Sequence, residues 1–183
     1  MEKRTLHLTF DGAPNPPGTL NILEVLSRHG VKGTFFMEGH RMKEHAELVR
    51  RIRQEGHSVG NHSFSHTEFD RLTLEECLRE VEDTDALFRE ILGEPVKLFR
   101  PPSGILGEEF RKVLEDHGYR ISLWTFSIRD WEGPGAAAVA ERVLAGAHPD
   151  GIMVMHDRVE WNPEALDIFI PELKNQGYNF TPL

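Results

Sequence analysis

The sequence predicts an α/β domain built around a mostly parallel sheet, and three observations predict it. Short runs rich in β-branched and aromatic residues alternate with helix-periodic runs along the whole chain, giving about seven βα units. Most helix-like runs stop at a glycine, the residue that ends helices without steric penalty. The 183 residues make one domain's length, so residues 1–183 are read as a single domain with one shared core. Two closures satisfy this pattern, an open doubly wound sheet and a barrel.

The elements follow in order. Thr5–Phe10 reads as a strand and runs into a Gly/Pro-rich loop, Asp11–Gly18. Thr19–His29 is a helix with Leu20, Leu23 and Leu26 on one face, widened by Ile22 and Val25 and stopped by Gly30. Lys32–Met37 is a strand, Met42–Gln54 a polar helix with Leu48 and Ile52 at i, i+4, and His57–Gly60 a short strand. Thr73–Leu92 is the longest helix, opened by a capping box of Thr73 and Glu76 and closed by Gly93-Glu94-Pro95. Val96–Phe99 is a strand, Gly107–His117 a helix and Tyr119–Phe126 a strand. Gly135–Ala145 is an Ala-rich helix and Ile152–Met155 an apolar strand. Pro163–Gln176 is a helix whose proline predicts an irregular early part, and Tyr178–Phe180 is a last short strand.

Composition narrows the function. Twenty-one basic residues against 30 acidic give a net charge of −9, which argues against a basic nucleic-acid binder, and no Lys/Arg-rich run reads as a membrane-surface patch. The single cysteine, Cys77, excludes a disulfide framework and a cysteine-built zinc site, so any metal is held by His, Asp or Glu. No apolar stretch approaches the roughly 18 residues of a membrane span. The start, MEKRTLHLTF, lacks the apolar core of a secretory signal, so the chain as written is expected in the cytoplasm. The first loop, DGAPNPPG, has prolines where a phosphate-cradling loop needs amide N–H groups, so no dinucleotide site is read there.

Reactive side chains gather just after the strands: Asp11 after the first, His62 and His66 after the third, Arg100 after the fourth, Asp130 and Trp131 after the fifth, His156 and Asp157 after the sixth. The C-terminal strand ends are where α/β folds build their sites, so these segments are expected to converge. His62 and His66 lack the adjacent glutamate of a zincin helix, but a pair of imidazoles suits zinc and related ions.

The chain resembles the polysaccharide deacetylase family, also called the NodB-homology domain or carbohydrate esterase family 4. The resemblance rests on LTFDGAP at Leu8–Pro14, NHSFSH at Asn61–His66, FRPPSG at Phe99–Gly104, DW at Asp130–Trp131 and IMVMHD at Ile152–Asp157, in family order. GVKGTFFMEG at Gly30–Gly39 is similar to the family's second strand. The resemblance implies a distorted, TIM-barrel-like (β/α) barrel. It also implies a metal-dependent hydrolase that removes acetyl groups from N-acetylated saccharides, less often O-acetylated ones. By position, His62 and His66 match the metal ligands and Asp11 the catalytic base. His156 matches the acid, Arg100 the residue that holds the base, and Asp130 the one that orients the acid. Pro101, Ser103, Trp131 and Met155 match substrate-binding positions. Zn2+ is the expected ion, with Co2+, Ni2+ and Mn2+ as alternatives, and an acetylated saccharide is the expected partner, with oligomeric state unread.

Two departures stand out. The family's first motif reads TFDDGP, its second Asp serving as third metal ligand; here Gly12 occupies that place. Asp11, His40, Asp157 and Asp70 are the candidates to replace it. Ser103 stands where the family carries Tyr. The missing ligand keeps two other functions open: a metal-independent amidohydrolase of a small cyclic amide, in the manner of allantoinases, and an inactive carbohydrate-binding homologue.

Overall fold

The computed structural model describes residues 4–183; residues 1–3, the head of the stretch read for a leader, lie outside them. The strands are β1 (Arg4–Ala13), β2 (Thr34–Met37), β3 (Ser58–Asn61), β4 (Leu98–Phe99), β5 (Arg120–Ile121), β6 (Phe126–Ser127), β7 (Gly151–His156) and β8 (Tyr178–Phe180). The helices are α1 (Gly18–Arg28), α2 (Gly39–Glu44), α3 (Ala46–Gln54), α4 (Leu74–Leu92), α5 (Glu108–Asp116), α6 (Ala136–Gly146) and α7 (Asn162–Asn175). All strand pairings are parallel, in the order β5-β4-β3-β2-β1-β7-β6, with β8 also on β1. The curled sheet and its outer helices form the distorted (β/α) barrel that the resemblance implies.

β1 is the axis of the sheet, and Leu6, Leu8 and Phe10 on it are fully buried. A parallel strand covered on both sides needs such an apolar run. The main core lies between the sheet and the apolar faces of α1, α3, α6 and α7, including Leu23, Leu26, Ile52, Val143, Phe169 and Leu173. A second cluster, Phe69, Phe99, Phe110, Leu114 and Tyr119, lies beneath α4 and α5 and encloses Cys77 as a free thiol. The Thr73–Glu76 capping box opens α4 as its sequence predicts. Among the described residues no helix is long and apolar enough to cross a membrane.

Several elements differ from the sequence reading. The predicted strand Tyr119–Phe126 is two short strands at opposite ends of the sheet. The segment between them carries the chain from one end to the other: Ser122 N–H donates to the Phe99 carbonyl and Thr125 N–H to that of Ile152, both at 2.9 Å. The predicted helix Met42–Gln54 starts at Gly39 and breaks at His45 (φ −130°, ψ 43°), which lets Met42 and the Leu48–Val49–Ile52 face both reach the core. β1 continues through Ala13, so Asp11 lies inside the strand instead of opening a loop. α7 is one helix from Asn162 to Asn175 with Pro171 inside it; its start is regular because Pro163 falls in the first turn, where an N–H has no partner to lose.

Candidate active site

Register brings the predicted residues together. Asp11 on β1 pairs with His156 on β7, and the next residues of β3 and β4 continue their ladders: His62 N–H donates to the Met37 carbonyl at 2.9 Å and Arg100 N–H to that of Asn61 at 3.0 Å. Asp11, His62, His66 and His156 line one cavity of about 430 Å3 with Ser103, Trp124, Trp131, Val154 and Arg158. That volume suits a small ligand or a sugar unit.

On one wall, Arg100 is fully buried and clamps the base candidate. Its Nη1 donates to Asp11 Oδ1 at 2.8 Å and to Thr9 Oγ1 at 2.7 Å, its Nε donates to the Ser122 carbonyl at 2.9 Å, and its guanidinium lies 4.0 Å from the Phe36 ring centre. Burial alone would raise the Asp11 pKa. The Arg100 charge, aided by His62 and His156, outweighs burial and holds the carboxyl below its ordinary range. Asp11 Oδ2 faces His62 Nε2 at 3.8 Å.

The imidazole pair sits on a braced loop. Asn61 Oδ1 accepts from Ser63 N at 2.9 Å, Ser63 Oγ from His66 N at 3.1 Å, and Glu80 of α4 from Phe64 N and Ser65 N at 2.9 and 2.7 Å. These bonds hold Ser63 (φ +67°) and His66 (φ +63°) in left-handed backbone, which costs a residue with a Cβ roughly 1–2 kcal/mol. His62 Nδ1–H donates to the Arg100 carbonyl at 2.8 Å, leaving Nε2 with its lone pair toward the cavity. Burial pushes the His62 pKa down, against the opposing pull of Asp11. The His62 and His66 ring centres are 5.0 Å apart.

Beside Asp11 on the neighbouring strand, His156 is held twice by the fully buried Asp130. Oδ1 accepts from His156 Nδ1–H at 2.9 Å and Oδ2 from His156 backbone N–H at 2.8 Å. Asn162 Nδ2 donates to Asp130 Oδ2 at 2.6 Å, and Trp161 Nε1 donates to the Asp130 carbonyl at 3.0 Å. Burial raises the Asp130 pKa, but the bonds from His156 and Asn162 more than offset it and keep the carboxylate ionised. Trp131 is half exposed and sets its ring edge-on to His156, centres 5.3 Å apart.

The substrate-binding set needs correction. Ser103 and Trp131 line the cavity; Met155 and Pro101 do not. Strand alternation turns Met155 into the apolar core and gives its place to Val154, while Pro101 is buried with its carbonyl accepting from Gly104 N at 3.1 Å. Ser103 lies in a tight turn (φ +55°) and its Oγ donates to Glu68 at 3.1 Å. The following Gly104 is required by Trp124, whose ring would lie 2.7 Å from an added Cβ.

The donor set tests the expected metal. His62 with its fixed tautomer, His66 and the unclamped oxygen of Asp11 suit a divalent ion of the zinc type. Gly12 offers nothing, and among the described residues no three His, Cys, Asp or Glu side chains stand in a ready metal-holding group. Of the candidates to replace the missing ligand, His40, Asp70 and Asp157 do not close the set. His40 holds the Phe64 carbonyl through Nδ1 and turns its other nitrogen, Nε2, to Glu38 Oε2 at 3.6 Å, and Asp70 is exposed in a short turn. Asp157 is buried behind the strand, accepting from Thr19 Oγ1 and Asn15 N. Sequence reasoning missed Asn162, the bond from Trp161 to Asp130, and the place of Arg158 in the cavity, where Trp124 also stands; the only signal for Asn162 was its position just past the His156 motif.

Burial raises the Asp157 pKa to about 7. Between the ordinary aspartate value and pH 7, the unfolded chain releases this proton while the native state keeps it, so Asp157 lowers stability as pH rises through that window. Asp157→Asn is therefore expected to flatten the pH dependence, removing a loss on the order of 4 kcal/mol between pH 4 and 8. Urea unfolding at several pH values checks this; equal slopes in both proteins would refute it.

Residues 1–122 match the profile of the family described as polysaccharide deacetylase. The chain is 34% identical over 183 residues to the peptidoglycan-N-acetylmuramic acid deacetylase PdaA of Bacillus subtilis, covering 98% of this chain and 70% of that one. It superposes on the Bc1960 peptidoglycan N-acetylglucosamine deacetylase with a TM-score of 0.97 at 31% identity, covering 100% of this chain and 87% of the other. It also superposes on BA3943 of Bacillus anthracis, described as a CE4 family pseudoenzyme, with a TM-score of 0.93 at 32% identity over 100% and 64%. The chain belongs to the polysaccharide deacetylase family, carbohydrate esterases that hydrolyse N-acetyl amide bonds.

Proposed function

We propose that this protein removes acetyl groups from N-acetylated saccharides of the peptidoglycan type, with a divalent ion, Zn2+ first, held by His62 and His66. One observation carries the reading: a carboxylate clamped by Arg100 and an imidazole clamped by Asp130 stand side by side on adjacent strands and face one cavity, with the His62 and His66 imidazoles lining it too.

An amide carbonyl is a poor electrophile and water a poor nucleophile, and a bound ion supplies Lewis acidity toward both. The chain's own groups handle the protons. Asp11 stays ionised through Arg100, and its free Oδ2 is the acceptor for the proton of the attacking water. His156, with Nδ1–H given to Asp130, presents Nε2 to the departing amine and delivers its proton there. Trp131 and Val154 form apolar wall beside the acetyl group and exclude water from it. Ser103 sits at the mouth, where its backbone N–H is the candidate donor to the developing oxyanion.

Acetate release from N-acetylglucosamine oligomers and from peptidoglycan fragments tests this. Activity is expected to vanish with a chelator, return with zinc, and be absent in His62→Ala. Gly12 favours a second reading, a metal-free hydrolase, for which chelation leaves turnover unchanged. No turnover of either substrate with zinc, cobalt, nickel or manganese supplied would refute the deacetylase reading.

A further inference from the structure

Gly12 is the extra residue of a β-bulge: Asp11 pairs with Phe36 and Ala13 with Met37, leaving Gly12 without a partner on β2. Its φ of +89° suits glycine and disfavours any residue with a side chain. A Cβ on Gly12 would point into a space already held by two groups, Glu38 Oε1 at 3.3 Å and Arg158 Nη1 at 3.0 Å. The carboxylate absent from β1 thus has a neighbour of the same chemistry arriving from β2.

Glu38 is placed for this by the backbone. It follows β2 directly, and its N–H donates to the Ala13 carbonyl at 2.9 Å, so it sits beside the bulge. The side chain is 3% exposed, an unusual place for a glutamate. Its Oε2 accepts from Arg41 Nε at 2.7 Å and faces His40 Nε2 at 3.6 Å. Its Oε1 accepts no hydrogen bond among the described residues and is the oxygen that faces the Gly12 space. One oxygen anchored by a neighbour and the other free is how protein carboxylates are oriented toward a cation. Adjacent strands lie about 4.8 Å apart, so a carboxylate moved from β1 to β2 needs a longer side chain, and this chain uses Glu where the family pattern has Asp.

We infer that Glu38 is the third protein ligand of the metal, completing a two-histidine, one-carboxylate set with His62 and His66 in place of the aspartate that Gly12 lacks. The inference rests on the metal-dependent reading. Among the described residues the three side chains do not yet stand as a closed group, so the Glu38 carboxylate, tied to Arg41 through Oε2, must turn its free Oε1 toward the imidazoles when the ion binds. Arg158 is exposed on a flexible stem and leaves the space when a cation enters it.

The test titrates Zn2+ alone into the metal-stripped full chain by calorimetry, and Co2+ by absorption, in wild type, Glu38→Gln, Glu38→Asp and His66→Ala. Glu38→Asp keeps the buried charge but shortens the reach, so it remains informative if Glu38→Gln does not fold. The expected result is one zinc site in wild type, an affinity about a hundredfold or more weaker in each folded Glu38 variant, as in His66→Ala, and altered Co2+ absorption bands. A purely structural Glu38 would change only the melting temperature of the metal-free protein. Zinc bound at wild-type affinity by either Glu38 variant overturns Glu38 as ligand and leaves the metal-dependent reading standing. No zinc bound by wild type overturns both.

Discussion

Asp11→Asn is expected to lower kcat/KM on an N-acetylated oligosaccharide by about a thousandfold, within the usual contribution of a general base. The amide keeps the shape of the side chain but cannot accept a proton from water. The same change is expected to destabilise the protein, because Arg100 would keep a fully buried charge with no counterion; breaking such a pair costs about 3–5 kcal/mol. The native state holds the Asp11 carboxyl below its ordinary pKa, so the pair's contribution is fully present above the unfolded aspartate value and disappears as pH falls through the native one. Acetate-release rates and urea denaturation at pH 7 and at pH 3 measure both effects. A rate within tenfold of wild type would remove Asp11 from the proton transfer. A stability difference that does not shrink at low pH would remove the Arg100 pair as its cause.

Asp130→Asn is expected to lower kcat by about a hundred- to ten-thousandfold while leaving KM within a factor of about three, the range known where a carboxylate orients a catalytic imidazole. Asp130 accepts from His156 Nδ1–H, His156 N–H and Asn162 Nδ2. An asparagine there has one acceptor oxygen and presents an NH2 to groups that are themselves donors. His156 then turns or changes tautomer, and Nε2 no longer carries the proton toward the leaving amine. The kcat-against-KM split distinguishes this from a general weakening of the cavity, which would raise KM. A kcat within fivefold of wild type would show that Asp130 supports the fold and not the acid.

Much of this arrangement was legible because chain-local signals carry it. Alternating β and helical runs set the βα order, and turn and capping residues marked most of the ends. The same signals failed where a decision depended on distant neighbours. Tyr119–Phe126 reads as one strand because its residues suit a sheet, but the sheet needed its two ends on opposite edges. Met42–Gln54 reads as one helix because no breaker residue interrupts it, while the break at His45 serves two separate burial faces.

The sequence by itself determined which chemical groups gather toward the C-terminal ends of the strands: Asp11, inside β1 near its end, and His62, His66, Arg100, Asp130 and His156 at or just past their strands, because strand periodicity and chain order are local properties. Tertiary structure alone decided which oxygen of Asp11 is clamped, that Val154 and not Met155 faces the cavity, and that Glu38 and Arg158 share the space beside Gly12. An all-apolar strand such as Ile152–Met155 has no polar alternation to reveal which face looks inward. A bulge and a parallel register bring together residues many positions apart, and neither the two-residue nor the 3.6-residue period of the chain encodes that meeting.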